Sequence, residues 1–146
     1  KVMKEFLESE IDVNNITTLI KLKHFGVDLH ELPDYLIVSS FGEVKLSQLM
    51  KAKDVPQLIH YLKTTRFYPV LKDVSEDQDG LIIIEAALHK YLLKRTITLL
   101  HQNLFSVDVI LAFLLAKEIE IMNLKRLVKG KQLGVQENMI EKVLVM

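Results

Sequence analysis

A glycine-stopped amphipathic helix occurs twice in this chain, in one register, and that duplication constrains the fold more than any other feature. Between Val2 and Phe25 the apolar residues recur in steps of three and four: Val2, Phe6, Val13, Ile16 and Ile20, flanked by Met3, Leu7, Ile11, Leu19 and Leu22. Such spacing gives a helix with a broad apolar face. Lys21, Lys23 and His24 put cations in the last turn and Gly26 supplies a residue free to take positive φ, so the helix is expected to stop there. A second run, Val107 to Leu133 with Ser106 as its cap, repeats the pattern and stops at Gly134.

The two runs align without a gap, 108 positions apart. Glu10-Ile11-Asp12-Val13 falls on Glu118-Ile119-Glu120-Ile121, Asn15-Ile16 on Asn123-Leu124, and Leu19-Ile20-Lys21 on Leu127-Val128-Lys129. Lys23 with Gly26-Val27 falls on Lys131 with Gly134-Val135. Shared amphipathicity does not demand so many identities, so the chain carries an internal duplication. Its motif residues are Glu10, Asn15 and Gly26 in the first copy and Glu118, Asn123 and Gly134 in the second. Asn15 and Asn123 each lie four residues from an Ile and four from a Leu on the apolar face. A buried amide must be hydrogen-bonded, so both are expected to tie their helix to a neighbouring connection rather than to hold a ligand.

Between the copies the signals are shorter. Leu32 to Val38 is an apolar stretch broken by Pro33, and Ser39 to Gly42 is a turn. Short helices are expected over Val44 to Ala52 and Val55 to Leu62, the second capped by Asp54 with Pro56 in its first turn, where a missing N–H costs nothing. Pro69 closes this region, Ser75 to Gly80 forms a polar loop, and Leu81 to Leu100 forms a third long helix. No stretch alternates with period two. The predicted fold class is therefore all-α, built of helical repeat units with long amphipathic helices.

With 146 residues, 49% hydrophobic, the chain has the material for one domain or one and a part. Disorder is excluded by the same figure. Lys and Arg number 19 and so do Asp and Glu, which leaves no basic surplus for nucleic acid. Cysteine is absent, removing disulfides, thiolate metal sites and cysteine nucleophiles. The longest apolar runs, Leu81 to Ile84 and Val107 to Leu115 with Asp108 inside it, fall short of the roughly 20 residues of a membrane span. The opening Lys1-Val2-Met3-Lys4-Glu5 is not a signal peptide, and a lysine start suggests a fragment of a longer protein.

Motifs that carry chemistry fail on inspection. Asp73 to Gly80 resembles a calcium loop read from Ser75, but the closing bidentate glutamate is then needed at Ala86, and Glu85 is one residue early. His24, His30, His60, His89 and His101 include no pair three or four apart, as a helical metal site requires. Gly130-Lys131 lacks the earlier glycine and the following Ser/Thr of a phosphate loop. The cations Lys125, Arg126, Lys129 and Lys131 suit a helix C-terminus better than a nucleic-acid face. The expectation is no catalytic, cofactor-binding or metal-binding residue, and neither nucleotide binding nor tight calcium binding.

Leu115-Ala116-Lys117-Glu118-Ile119-Glu120-Ile121-Met122-Asn123-Leu124-Lys125, continuing to Lys129-Gly130-Lys131 and Gly134, resembles the C-terminal signature of the C subunit of archaeal-type and bacterial V-type rotary ATP synthases. Tyr91 to Arg95 and Asn103 to Val107 are similar to that family's penultimate helix and the turn after it, and Glu10 to Ile16 with Leu19 to Lys23 resembles the same motif in the preceding unit. The resemblance implies three related helical units around a funnel-like cavity. Residues 1–30 would then be the final long helix of one unit and residues 31–146 a complete C-terminal unit. It also implies a non-catalytic subunit without cofactor, peripheral to the membrane on its cytoplasmic face. Its implied partners are the membrane rotor ring and the central-stalk subunits, and its role is to couple ATP synthesis or hydrolysis to proton or sodium transport. The eukaryotic counterpart, the d subunit of the vacuolar proton pump, departs from these motifs, which favours a prokaryotic or archaeal source. The competing class is a freestanding all-helical adaptor or scaffold; a helical hydrolase using the acidic loop is disfavoured by the failed motifs. A chain with this much apolar surface and one complete unit is expected to leave an apolar patch where further units dock.

Overall fold

The computed structural model describes residues 2–27, 30–38, 44–71, 78–102 and 107–146. These residues form seven α-helices and two 3₁₀ turns, with no strand among them, so the chain is all-α. The helices are α1 (Val2–His24), α2 (Leu46–Met50), α3 (Val55–Tyr61), α4 (Tyr68–Leu71), α5 (Gln78–Gln102), α6 (Val107–Gln132) and α7 (Glu137–Val143). At 1.5 Å per residue, α1 and α6 run about 35 and 39 Å.

The long elements follow the apolar periodicity, and the departures are local. Leu32 to Val38 is not simply a broken apolar stretch: Leu32–Tyr35 makes a 3₁₀ turn, with Pro33 in its first positions and Leu32 buried. Pro69, the last proline, sits in the first turn of α4, and α7 follows Gly134; the spacing singled out neither helix. Both helices are too short to show a 3.6-residue period. Asp54 caps α3 as expected, its Oδ1 accepting from the Gln57 N–H at 2.9 Å, and Gln57 Oε1 accepts from the Lys53 N–H at 2.7 Å. This reciprocal pair satisfies two donors that the helix start would leave open. The expected turn at Ser39 to Gly42, the cap at Ser106 and most of the acidic loop lie outside the described residues.

The ends of α1 and α6 are closed by the same device. Gly26 has φ 69° and Gly134 φ 68°, the left-handed region that disfavours a Cβ. Past them the Val27 N–H donates to the Leu22 carbonyl at 3.0 Å, and the Val135 N–H to the Gly130 carbonyl at 2.9 Å. This six-to-one bond consumes a carbonyl the helix would otherwise leave unpaired.

Packing centres on α5, which touches α1, α4, α6 and α7. The main core joins Val13, Ile16, Leu19 and Ile20 of α1 to Leu49 of α2, Leu58 of α3 and Ile84, Leu88 and Leu92 of α5. A smaller cluster of Phe6, Ala86, Leu115, Ile119 and Val145 joins α1, α5, α6 and the stretch of chain beyond α7. Helix α6 packs against α5, α1 and α7 and leaves a row of apolar side chains exposed on its other side.

Candidate interaction site

Asn15 and Asn123 make identical clasps. Asn15 Nδ2 donates to the Ile37 carbonyl and its Oδ1 accepts from the Ile37 N–H, both at 2.8 Å. Asn123 Nδ2 donates to the Val145 carbonyl at 2.7 Å and its Oδ1 accepts from the Val145 N–H at 2.9 Å. In each copy the partner lies 22 residues downstream. A side-chain amide presents one donor and one acceptor side by side, so it matches one extended residue's backbone and fixes the path of the chain that leaves the helix. Leu32 and Ile140, also 108 positions apart, are both buried on the way to these two straps.

Glu10 and Glu118, equivalent in sequence, line one small cavity of about 70 Å³ between α1, α5 and α6, with Asn14 and His89. Burial raises the Glu10 carboxyl above its ordinary value of 4.5, and the charge of Glu118 adds to the shift. His89 Nδ1 shares a hydrogen with the Glu85 carbonyl at 2.8 Å. Among the described residues no group of three or more His, Asp or Glu side chains is placed to hold a metal ion, so these residues are not brought together as a metal centre.

Four ionic links between distant parts of the chain are not evident from local spacing. Glu85 of α5 receives Lys21 of α1 at 2.6 Å and Arg126 of α6 at 3.3 Å, so one carboxylate bridges both long helices. Burial alone would push its pKa up, but the Lys21 hydrogen bond with the charges of Lys21, Arg126 and His89 outweighs burial and holds the carboxyl below its ordinary range. Arg126 also donates to the Val143 carbonyl at 3.0 Å. Its place in the helix-terminal cation cluster gives no hint of this structural use. Asp12, buried on α1, meets Arg66 at 3.6 Å, and Glu5 meets Arg95 at 3.5 Å. A carboxylate inside the α1 apolar row was the available signal, since a buried acid requires a basic partner.

On the opposite side of α6 lies the feature most suited to binding. Ile121, Leu124, Leu127 and Val128 are exposed, and a groove of about 380 Å³ runs between this row and the C-terminal strap, lined by Ile119, Glu120, Asn123, Leu124, Leu127 and Val145 among others. Contiguous apolar surface of this kind marks an interaction face. No helix among the described residues is long and apolar enough to cross a membrane.

Residues 1–143 match the family described as ATP synthase (C/AC39) subunit. Among curated proteins the chain is similar to the C subunit of the A-type ATP synthase of Methanocaldococcus jannaschii, 28% identical over 99% of this chain and 37% of that protein. The protein of the same name from Haloferax volcanii is 32% identical over 99% of this chain and 42% of the relative, and that from Pyrococcus horikoshii is 32% identical over 88% and 35%. The chain thus spans about two fifths of the length of the curated relatives it matches. No solved structure gives a significant match. With its all-helical fold and a match that leaves out only the last three residues, the chain belongs to the ATP synthase (C/AC39) subunit family.

Proposed function

We propose that this chain is the C-terminal part of the non-catalytic subunit that links the central stalk of an A-type or V-type ATP synthase to its membrane rotor ring. The observation that carries the proposal is the family match across residues 1–143, together with relatives named as the C subunit of A-type ATP synthases over nearly the whole chain. Residues 1–30 end one helical unit and residues 31–146 make the next. The subunit is peripheral, on the cytoplasmic face, and reaches the membrane through the ring.

The physics of the fold suits a coupler. Transmitting torque between rotating parts requires stiffness and shape complementarity, and close-packed helices have low compressibility. Here two helices of 23 and 26 residues are cross-braced through α5, bridged by Glu85, and latched to their outgoing straps by Asn15 and Asn123. Nothing in this bracing asks for chemistry at a bound nucleotide; the work is mechanical, and the ions move through other subunits.

The test is retention. The full-length subunit, immobilised, is expected to hold both the purified rotor ring and the central-stalk subunits. Retention of neither contradicts the proposal and favours the freestanding adaptor.

A further inference from the structure

The two motif glutamates take no part in the bracing described above, yet the fold brings them to one place. Lys21 near the end of α1 and Arg126 near the end of α6 meet the same Glu85, and Glu5 near the start of α1 meets Arg95 near the end of α5. Helices α1 and α6 therefore run side by side in one direction, each antiparallel to α5. Glu10 and Glu118 stand equally far before their stop glycines, and both line the cavity of about 70 Å³ where the three helices meet. The rest of the lining is mostly apolar. Leu115 and Ile119 of that lining belong to the cluster with Phe6 that joins α1, α5 and α6.

Two carboxylates across so small a space in an apolar joint repel more strongly than in water, because the effective dielectric constant is lower. Burial and the charge of Glu118 both act on Glu10 in the direction that favours a bound proton. His89 of α5 is the only other titratable group lining the cavity, beside the neutral Asn14. A carbonyl oxygen only accepts, so the Nδ1 that meets the Glu85 carbonyl at 2.8 Å carries the ring's hydrogen, and Nε2 is the atom left to take up a proton. Glu85 itself is occupied by Lys21 and Arg126 and does not line the cavity. Every protonation in this space thus acts with one sign: it removes negative charge from the joint.

We infer that Glu10 and Glu118 form a proton-operated clasp between the two copies: a proton shared across the cavity draws α1 and α6 together, and its loss sets two like charges against each other and loosens the joint. Glu118 is exposed, so solvent supplies the proton and takes it back. The linkage has a definite sign. As pH falls through the titration of the pair, the closed joint gains over the loosened one, and as pH rises that gain is lost. The duplication gives each copy the same residue, and each supplies one half of the clasp. Under the proposed function acid stiffens the coupler; the clasp itself rests on the geometry alone.

The chain has no cysteine, so spin labels can be placed at chosen sites. Leu7→Cys on α1 and Leu114→Cys on α6, both exposed, straddle the joint, while Leu7→Cys with Tyr61→Cys on α3 reports on the first copy alone. The pairs are introduced into the whole gene product, freed of any other cysteine, and distance distributions are measured by pulsed electron resonance from pH 8 to pH 4. The distribution between positions 7 and 114 is expected to narrow as pH falls, with a midpoint above the ordinary carboxyl value of 4.5, while that between positions 7 and 61 stays constant. Glu118→Gln is expected to weaken the response and move its midpoint to lower pH. Glu10→Gln combined with Glu118→Gln is expected to abolish it and leave the narrow distribution at every pH, because glutamine keeps the size of the protonated acid and carries no charge. A distribution across the joint that ignores pH overturns the inference. So does a response that survives the double substitution, which assigns it to His89 or to another group. A midpoint unmoved by Glu118→Gln leaves the two glutamates uncoupled and overturns it as well, and equal broadening of both label pairs at high pH does the same, since the whole fold then loosens rather than the joint.

Discussion

Asn15 is nearly inaccessible to solvent, and its amide is the partner of both backbone groups of Ile37. Replacing it by Ala leaves an N–H and a carbonyl to find water, so Asn15→Ala is expected to lower unfolding free energy by about 2 kcal/mol in urea denaturation. Asn123 is more open, and Asn123→Ala should cost less. Glu10 behaves oppositely. Its folded-state pKa is raised, so the charged form is a burden that is fully present above the folded value and vanishes as pH falls below the ordinary 4.5. Glu10→Gln is therefore expected to stabilise the chain at pH 7 by a few tenths of a kcal/mol, since the group is partly solvated, and to do nothing near pH 3. Urea midpoints at the two pH values check this. Part of the residue scale is legible in sequence: an amide on an apolar face must have a partner, and the shared register singles out both copies. The partner's identity is not legible, because the path of the strap depends on tertiary packing.

At the scale of elements, the long helices are readable because the apolar steps persist over six or seven turns, whereas α4 and α7 have four and seven residues and no measurable period. Gly130 shows what the pattern conceals. A Cβ there would meet Ile140 Cγ1 and Cδ1 at 2.8 Å, so the glycine lets α7 lie directly on α6. Alanine would gain about 1 kcal/mol in helix propensity, but overpacking a buried isoleucine costs about 1–3 kcal/mol. Gly130→Ala is accordingly expected to destabilise, and pairing it with Ile140→Ala to cost less than the sum of the two single changes, by about 1 kcal/mol of coupling. Glu85 joins three elements in a way no local spacing foretells. Its folded pKa is depressed, so its contribution is complete above 4.5 and is lost as pH falls through the folded value. Glu85→Gln is expected to cost about 1 kcal/mol at pH 7 and to remove that part of the acid sensitivity, seen as a flatter dependence of the thermal midpoint between pH 6 and 3.

For the whole molecule, the fold class and the duplication follow from periodicity and register alone, while the asymmetry between the copies does not. Val13 and Ile121 look interchangeable on paper; only the presence of residues 44–71 over one of them and nothing described over the other separates their surroundings. That asymmetry marks the exposed face of α6 as an interaction surface, which suits the coupling role proposed above. The most direct measurement is the number of ions transported per ATP hydrolysed by the reconstituted synthase, with and without the subunit that contains this chain. Hydrolysis that continues without the subunit while transport collapses is the result predicted here; an unchanged ratio of ions to ATP in its absence would contradict the coupling role.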